Sequence, residues 1–316
     1  MGVEVEPRPS VVARRRLFRL TNRQRESLIG YLFLSPWILG FVIFLAGPMI
    51  ASLYLSFTQY KVIQAPLWIG LANYQRMFTD ELFYHSLKVT VVYTAISVPL
   101  GIAAALGVAV LLNQKIVASG LFRTIFYLPS VISGVAVAIV FAWIFNFRFG
   151  VLNYLLSLVG IPGPNWLGSP RWALWAFVLM SLWGIGGNVV IFLAALQGVP
   201  QSLYEAAEID GAGSWQRFWK ITLPMISPAL LFVFIMGVIG TFQTFTQSYI
   251  MTGGGPANAT LFYLLYLYKN AFNWFEMGYA SAMAWILFLI IMACTLILLR
   301  SSTLWVHYEG SFGRGR

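Results

Sequence analysis

The stretch YEAAEIDGAGSWQRFWKITLP, from Tyr204 to Pro224, is a polar segment between two long apolar ones. It is the only long run that groups several charged residues in a chain otherwise dominated by apolar side chains: Glu205, Glu208, Asp210, Arg217 and Lys220. A polar segment between apolar ones predicts a loop at a membrane surface. The chain on either side of it is organised around that loop.

Two short helices are predicted within this stretch. The first follows Pro200 and ends at a sharp turn that Gly211 and Gly213 permit. In the second, apolar residues recur at helical spacing: Trp215, Phe218, Trp219 and Ile221. Pro224 is expected to stop that helix. The result is a helix-turn-helix segment with an apolar face and a charged rim, which on a membrane protein favours a protein partner.

The composition predicts a polytopic membrane protein. Hydrophobic residues make up 59% of the chain and charged residues 9%, against roughly a quarter charged in soluble domains. The net charge of +10 does not indicate nucleic-acid binding, because seven arginines lie in the first 25 residues, beside the first apolar stretch. The one cysteine, Cys294, lies in an apolar run, which excludes a disulfide within the chain and gives no support to a metal site.

Six apolar stretches are long enough to cross a bilayer, which takes about 20 residues. They are Tyr31–Phe57, Leu87–Leu112, Ile125–Phe145, Trp172–Leu196, Pro228–Ile250 and Tyr279–Leu299. The first is too long for a signal peptide and is interpreted as a retained anchor. The predicted fold is therefore all-α with six transmembrane helices, divided into a basic tail (1–28), a membrane domain (29–301, with the loop at 200–224) and a second tail (302–316).

The distribution of Lys and Arg predicts the topology. Segments on the side of the two termini hold fourteen of these residues, and segments on the other side hold six. By the positive-inside rule, both termini and the loop at 200–224 are cytoplasmic.

The loop also carries a motif. Glu205-Ala206-Ala207 is followed after three residues by Gly211, and after nine more by Ile221-x-Leu223-Pro224. This spacing resembles the coupling-loop motif in membrane subunits of binding-protein-dependent ABC importers. The resemblance implies the type I importer permease fold and a loop, including Asp210, that seats in a cytoplasmic ATPase subunit. The alternative is an amphipathic hairpin lying on the membrane surface.

The spans offer uncharged polar groups and no acidic or basic residue near their middle, which argues against a proton relay. Hydroxyls and amides beside aromatic rings suit a neutral polyol. Most aromatic residues in membranes lie at the interfaces instead. The fifth span is the best candidate for lining a pathway, because Thr241, Thr244 and Ser248 share one predicted helical stripe and Gln243 and Gln247 share the next.

Backbone breaks are also expected in the spans. Pro48 and Pro129 should bend or break their helices, and glycines should loosen the fourth span: Gly184, Gly186 and Gly187. Such breaks occur where backbone lines a cavity, although Gly and Pro are also common in ordinary membrane packing. The cavity is favoured at Pro129 and Gly186, and both readings stay open at Pro48. The glycine-rich turn at Gly253–Gly255 is interpreted as an outer turn that meets an external protein or closes the pore.

Further phrases extend the resemblance across most of the chain, from Tyr31 to Leu299. They are Leu128-Pro129-Ser130, Trp143–Asn146, Gly150–Asn153 and Met251–Pro256. These look like the first permease of sugar importers of the maltose, lactose and glycerol-3-phosphate type. By position, the resemblance points to five substrate contacts: Ser130, Gly134, Gly184, Thr241 and Thr244. Three further polar residues of the spans are added to this candidate pathway: Asn188, Gln243 and Gln247.

The same resemblance implies the partners. They are a second, different permease, two cytoplasmic ATPase subunits and an extracytoplasmic sugar-binding protein, in the inner or plasma membrane of a prokaryote. The chain has no G-x-x-x-x-G-K-[ST] sequence, so it is not expected to be an enzyme, and ATP and Mg²⁺ would bind the ATPase. Three alternatives stay open: a permease for a non-sugar solute, a membrane enzyme, and a scaffold that transports nothing.

Overall fold

The computed structural model describes residues 21–114 and 118–307. Residues 1–20, 115–117 and 308–316 lie outside the described residues, so the two predicted tails are described only where they adjoin the membrane domain. The chain divides into two compact units, Met1–Ser52 and Leu53–Arg316.

The described part of the first unit is helical. It contains α1 (Asn22–Phe41), a π turn (Val42–Ala46) and the start of α2 (Gly47–Ser56), which runs into the second unit. Of the predicted bend or break at Pro48, the break is wrong, because Asn22–Ser56 is one continuous helix. The π turn explains this, since the Gly47 amide donates to the Val42 carbonyl five residues back and the widened turn precedes the proline. Helix α1 also includes residues 22–28 of the predicted tail.

The second unit is almost entirely helical. A two-stranded antiparallel sheet pairs β1 (Thr58–Gln59) with β2 (Leu67–Trp68). The helices before the loop at 200–224 are α3 (Ala72–Met77), α4 (Glu81–Leu112), α5 (Ser119–Tyr127), α6 (Gly134–Ile144), α7 (Val151–Leu158), α8 (Pro170–Ser181) and α9 (Gly186–Gln197). Short 3₁₀ turns lie at Leu128–Val131 and Leu182–Gly184.

From that loop onwards the helices are α10 (Gln201–Ile209), α11 (Ser214–Arg217), α12 (Leu223–Met225), α13 (Ser227–Phe242), α14 (Thr246–Met251), α15 (Tyr263–Tyr268) and α16 (Met277–Trp305). Further π turns lie at Phe218–Thr222 and Lys269–Asn273.

All six predicted apolar stretches coincide with helix. Among the described residues four helices are long and apolar enough to cross a membrane alone: Asn22–Ser56, Glu81–Leu112, Ser227–Met251 and Met277–Trp305. Two bent pairs raise the number to as many as six if each pair is one span. One pair bends by 99° between Val131 and Gly134, and the other bends by 49° between Gly184 and Gly186. The breaks expected at Pro129 and at the glycines of the fourth stretch are therefore confirmed.

Helix α4 is the central element of the second unit. Its beginning packs with α13, α15 and α16, its middle with α6 and α8, and its end with α9 and α13, through three buried apolar clusters. The α4–α13 contact is close, because a Cβ atom on Gly237 would come within 3.1 Å of the Val98 side chain. This helix starts six residues before the predicted span, because Asp80 caps it by accepting the amides of Leu82 and Phe83.

The segment after α14 also belongs to the core. Phe262, Tyr263 and Leu265 are fully buried. The Tyr263 amide donates to Thr90 of α4, and the Tyr263 hydroxyl donates to the Met283 carbonyl of α16. The glycine-rich turn before it has Gly253 and Gly254 at positive φ, as their lack of a Cβ atom permits. This loop is therefore anchored in the helix bundle rather than free at its surface.

Candidate functional site

The loop at 200–224 begins with a helix that ends as the sequence predicts. Helix α10 follows Pro200 and closes with the two hydrogen bonds of a Schellman motif: the Ala212 amide donates to the Ala207 carbonyl at 2.8 Å, and the Gly211 amide to the Glu208 carbonyl at 3.0 Å. Gly211 has φ of +75°, which a residue with a Cβ atom adopts only with strain. The turn therefore requires this glycine.

The return arm of the loop differs from the prediction at Pro224, which does not stop the helix. Helix α11 is followed at once by the π turn Phe218–Thr222 and then by α12, which contains Pro224. The Leu223 amide donates to the Phe218 carbonyl five residues back. Because the turn is already wide at this point, the chain passes through the proline and stays helical.

The motif residues divide between the surface and the interior of the loop. In the first part of the motif Ala207 is half-buried and the other residues are exposed: Glu205, Ala206, Asp210 and Gly211. The residues of the second part are all half-buried: Ile221, Leu223 and Pro224. Within the loop Glu208 forms an ion pair with Arg217. Glu205 belongs to neither ion pair in the described part of the chain, so its carboxylate is available for a partner.

An exposed apolar surface accompanies these carboxylates. Ile209 is 87% exposed and Trp215 73% exposed. The Trp215 and Trp219 rings pack edge to face with their centroids 5.5 Å apart. Large apolar side chains exposed beside acidic ones are typical of a surface that another protein or the membrane interface covers.

The loop is joined to the fifth span by a chain of hydrogen bonds. The Tyr204 and Thr222 hydroxyls lie 2.9 Å apart, which connects α10 to the return arm. The Ser227 hydroxyl donates to the Pro224 carbonyl at 2.6 Å and accepts the His307 amide at 2.9 Å. Thr222 and Ser227 are buried, so the loop is hydrogen-bonded to the start of α13 inside the protein.

The predicted pathway residues lie at the breaks in the third and fourth spans. The 3₁₀ turn Leu128–Val131, which holds Ser130, packs against the 3₁₀ turn Leu182–Gly184. Gly186 permits this approach, since a Cβ atom there would lie 2.1 Å from the Phe126 carbonyl oxygen. The Ser130 hydroxyl donates to the Tyr127 carbonyl at 2.6 Å and stays exposed. The structure thus brings Ser130 and Gly184 together.

A second approach joins the third and fifth spans. Helix α6 packs against α14, and a Cβ atom on Gly134 would lie 3.8 Å from the Gln247 amide nitrogen. Gln243 is exposed at the end of α13, whereas Thr244 and Asn188 are half-buried. The Thr241 hydroxyl donates to the carbonyls of its own helix, at Gly237 and Val238, which is the usual way for a membrane helix to satisfy a hydroxyl.

The continuous polar stripe predicted for the fifth span is wrong. The span is interrupted between Phe242 and Thr246, so Thr241 and Ser248 do not lie on one helical face. The Ser248 side chain is fully buried and donates to the Thr260 carbonyl at 2.6 Å. Phe242, at the end of α13, is 4% exposed and packs in the core.

A buried hydroxyl stripe on α4 was missed in the sequence. It consists of Ser86, Thr90, Tyr93, Thr94 and Ser97. Thr90 accepts the Tyr263 amide at 2.8 Å and donates to the Ser86 carbonyl. The spacing of four, three, one and three residues is that of one helical face, and this period was the available signal.

No group of three or more His, Cys, Asp or Glu side chains that could hold a metal occurs among residues 21–114 and 118–307. Within the described residues, the exposed loop is therefore hydrogen-bonded to the start of α13, and the breaks in the third and fourth spans pack on each other.

Residues 97–306 match the family model described as "Binding-protein-dependent transport system inner membrane component". The chain belongs to this family. It is thus a multi-pass protein of the prokaryotic plasma membrane and a permease subunit of an ABC transporter, and ATP hydrolysis falls to a partner subunit. The resemblance drawn from the loop motif is confirmed.

Relatives of this permease cover nearly its whole length. It is 50% identical over 291 residues to the probable ABC transporter permease protein YesP of Bacillus subtilis, covering 90% of this chain and 94% of that protein. It is 38% identical to the lactose transport system permease protein LacF of Rhizobium radiobacter, covering 83% of this chain and 90% of that protein. A bacterial ABC transporter that imports the acidic polysaccharide alginate is similar in structure, with a TM-score of 0.78, 26% identity and coverage of 88% and 96%.

Proposed function

We propose that this permease carries a sugar, of di- or oligosaccharide size or a related polyol, that an extracytoplasmic binding protein delivers. The observation that carries the proposal is the exposed loop at 200–224, which holds the complete motif and is tied to the fifth span. The sugar permeases among the relatives support the substrate class, and so do the uncharged polar groups of the spans. The membrane enzyme and the inert scaffold lose their main support once the family is assigned.

The proposed assembly has this chain beside a second, different permease, with two ATPase subunits on the cytoplasmic side. The proposal has six spans with both termini and the loop on that side, which the excess of Lys and Arg there supports. ATP and Mg²⁺ bind the ATPase subunits, and this chain holds no cofactor. When the ATPases close, the loop moves with them, and the two permeases rock around a site at the middle of the membrane.

The role of Glu205 is tested in the complex reconstituted into proteoliposomes with its binding protein. Its exposed carboxylate is proposed to accept charge-assisted hydrogen bonds from a basic ATPase group, each worth about 1.5–3 kcal/mol. We expect Glu205→Gln to lower sugar-stimulated ATP hydrolysis and uptake by about tenfold. Glu208→Gln is the matched control, because Glu208 lies in the same helix as Glu205 and its carboxylate is already paired with Arg217 of α11. Equal activity of the Glu205 variant and the wild type would remove this role.

The proposed substrate pathway includes Ser130, Gly134, Gly184, Asn188 and Thr241. Three further members lie where α13 gives way to α14: Gln243, Thr244 and Gln247.

We expect the combined change of Gln243, Thr244 and Gln247 to Ala to raise the KM for sugar uptake, because each lost sugar hydrogen bond costs about 1 kcal/mol. Binding-protein-stimulated ATP hydrolysis should change less. The control is Ser248→Ala, since the Ser248 side chain is fully buried and already donates to the Thr260 carbonyl. An unchanged KM in the triple variant would exclude the fifth span from the pathway.

A further inference from the structure

A polar cavity of about 370 Å³ lies where β1, α3 and the start of α16 meet. We call it the outer cavity, because the proposed topology places these segments on the extracytoplasmic side. Two cationic side chains, Lys61 and Arg76, line it together with Glu276, Tyr279 and the backbone of the first outer loop. Neither the coupling loop nor the substrate pathway uses these residues.

The rim of the outer cavity is rigid. Asn73 Nδ2 donates to the carbonyls of Ser56 and Thr58 at 2.9 Å each, which fixes α3 to the strand β1. On the other side, Gly278 of α16 lies so close to β1 that a Cβ atom would be 2.0 Å from the Thr58 carbonyl oxygen. The cavity is therefore preformed and does not require a partner to shape it.

The floor of the cavity is held by a half-buried carboxylate. Asp80 accepts hydrogen bonds from the Tyr266 and Tyr279 hydroxyls at 2.7 and 2.5 Å. Burial raises the pKa of the Asp80 carboxyl, but these bonds and those from two backbone amides outweigh it and hold the pKa below its usual value. Asp80 is thus an anion committed to its own network, and it keeps the Tyr279 ring in place below Arg76, whose guanidinium carbon lies 4.2 Å from the ring centroid.

The free charge in the outer cavity is positive. Arg76 forms an ion pair with Glu276, and their side chains are 48% and 28% exposed. Lys61 is exposed as well and takes part in neither ion pair of the described residues. Arg76 is paired with Glu276 and the Asp80 anion is bonded to two tyrosine hydroxyls, so Lys61 is the cation of the cavity that has no carboxylate within ion-pair distance among the described residues.

The same excess extends over the whole proposed outer side. Its segments hold six basic residues, namely Lys61, Arg76, Lys88, Arg148, Arg171 and Lys269, and three acidic ones, namely Asp80, Glu81 and Glu276. Asp80 is bonded inside the protein. A partner that approaches from this side is favoured if its contact surface is acidic.

We propose that the outer cavity receives a carboxylate side chain of the extracytoplasmic binding protein, which Lys61 and Arg76 bind and for which Glu276 competes. This inference rests on the proposed function, because it assumes both the topology and the delivery of the sugar by such a protein. Docking exchanges the Arg76–Glu276 pair for one between Arg76 and the partner. A planar guanidinium can hold the incoming carboxylate with two parallel hydrogen bonds.

The proposal predicts opposite effects of two charge changes. Lys61→Glu should weaken binding of the fluorescently labelled binding protein to the full complex in nanodiscs of neutral lipid by about tenfold, with a smaller salt dependence. Glu276→Gln should tighten binding severalfold, since it removes the competing carboxylate and frees Arg76. A misfolded variant cannot give tighter binding, so the second change guards against structural damage.

Arg148→Glu is the matched control, because it reverses a charge in another outer loop, away from the cavity. It should leave the affinity within twofold of wild type, which corresponds to about 0.4 kcal/mol. Equal weakening by Lys61→Glu and Arg148→Glu would show general charge attraction and overturn the cavity proposal. The cavity proposal would also be overturned if the effects of the cavity variants appeared only with anionic lipid. Competition for the cavity by a free sugar acid alone would overturn it too. If both cavity variants bind with unchanged affinity and the wild type takes up sugar normally, only the cavity proposal is rejected. If the wild-type complex neither binds the binding protein nor takes up sugar, the proposed function is rejected as well.

Discussion

Gly211→Pro is expected to abolish the coupling of ATP hydrolysis to sugar uptake. The native φ of +75° is out of reach for proline, whose ring holds φ near −65°. The change also removes the amide that donates to the Glu208 carbonyl, and it disfavours the αR-like backbone of Asp210 before it. Strain of this kind costs about 1–3 kcal/mol per residue, which the loop can relieve only by opening its turn. Sugar-stimulated ATP hydrolysis and uptake by the reconstituted complex should therefore fall by at least about tenfold.

Gly213→Ala gives the matched control for this change. Gly213 lies two residues further on with φ of −69° and has open space where a Cβ atom would be. Alanine should fit there, and we expect stimulated hydrolysis close to that of the wild type. Normal coupling in the Gly211 variant, measured beside this control, would show that the turn geometry is not needed for contact with the ATPase.

The sequence was sufficient to predict the first arm of the coupling loop and insufficient for the second. A helix that ends at a glycine with positive φ is a local event, decided within a few residues by the Schellman hydrogen bonds. The path through Pro224 is not local in the same way. A proline ends a helix only if the preceding turn keeps its normal width, and here the π turn at Phe218–Thr222 removes that conflict.

The substrate pathway shows the same division. Pro129 and Gly186 predict breaks because each disturbs its own helix, and both breaks are present. The packing of the two broken turns on one another depends on tertiary contacts, which no residue pattern within either span predicts. The prediction of a polar stripe on the fifth span was wrong for a related reason. It assumed one continuous helix from Thr241 to Ser248, and the structure interrupts that helix.

Helix α4 and the segment Phe262–Tyr268 were underestimated in the sequence. The hydroxyl residues of α4 recur with a period that gives one helical face, which a length criterion for spans does not detect. The apolar run near Tyr263 is too short to cross a membrane, so the same criterion does not select it. Its burial becomes evident only when Thr90 of α4 is seen to accept the Tyr263 amide. Both features concern which surfaces meet, and a composition or length criterion cannot supply that.

Gly186→Ala is expected to have a large effect for a single added methyl group. The new Cβ atom would lie 2.1 Å from the Phe126 carbonyl oxygen and 2.8 Å from Tyr127 Cα, and both neighbours are backbone that no rotamer change can move. Overpacking of this kind costs about 1–3 kcal/mol. The broken turns of the third and fourth spans must then separate, which displaces Ser130 from Gly184. We expect a lower Tm for the purified complex and a loss of sugar uptake.

Gly187→Ala distinguishes this contact from a general need for glycine. Gly187 is the next residue in the same helix, and a Cβ atom there meets nothing within 4 Å. Helix propensity alone favours alanine over glycine by about 1 kcal/mol at both positions, so the control should be as stable as the wild type or more so. The two variants carry the same Gly-to-Ala substitution with the same gain in helix propensity, so they differ only in the clash with the backbone at Phe126. If both keep wild-type uptake and Tm, the packing of the two breaks is not needed for transport; if only Gly186→Ala fails, that packing forms part of the translocation machinery.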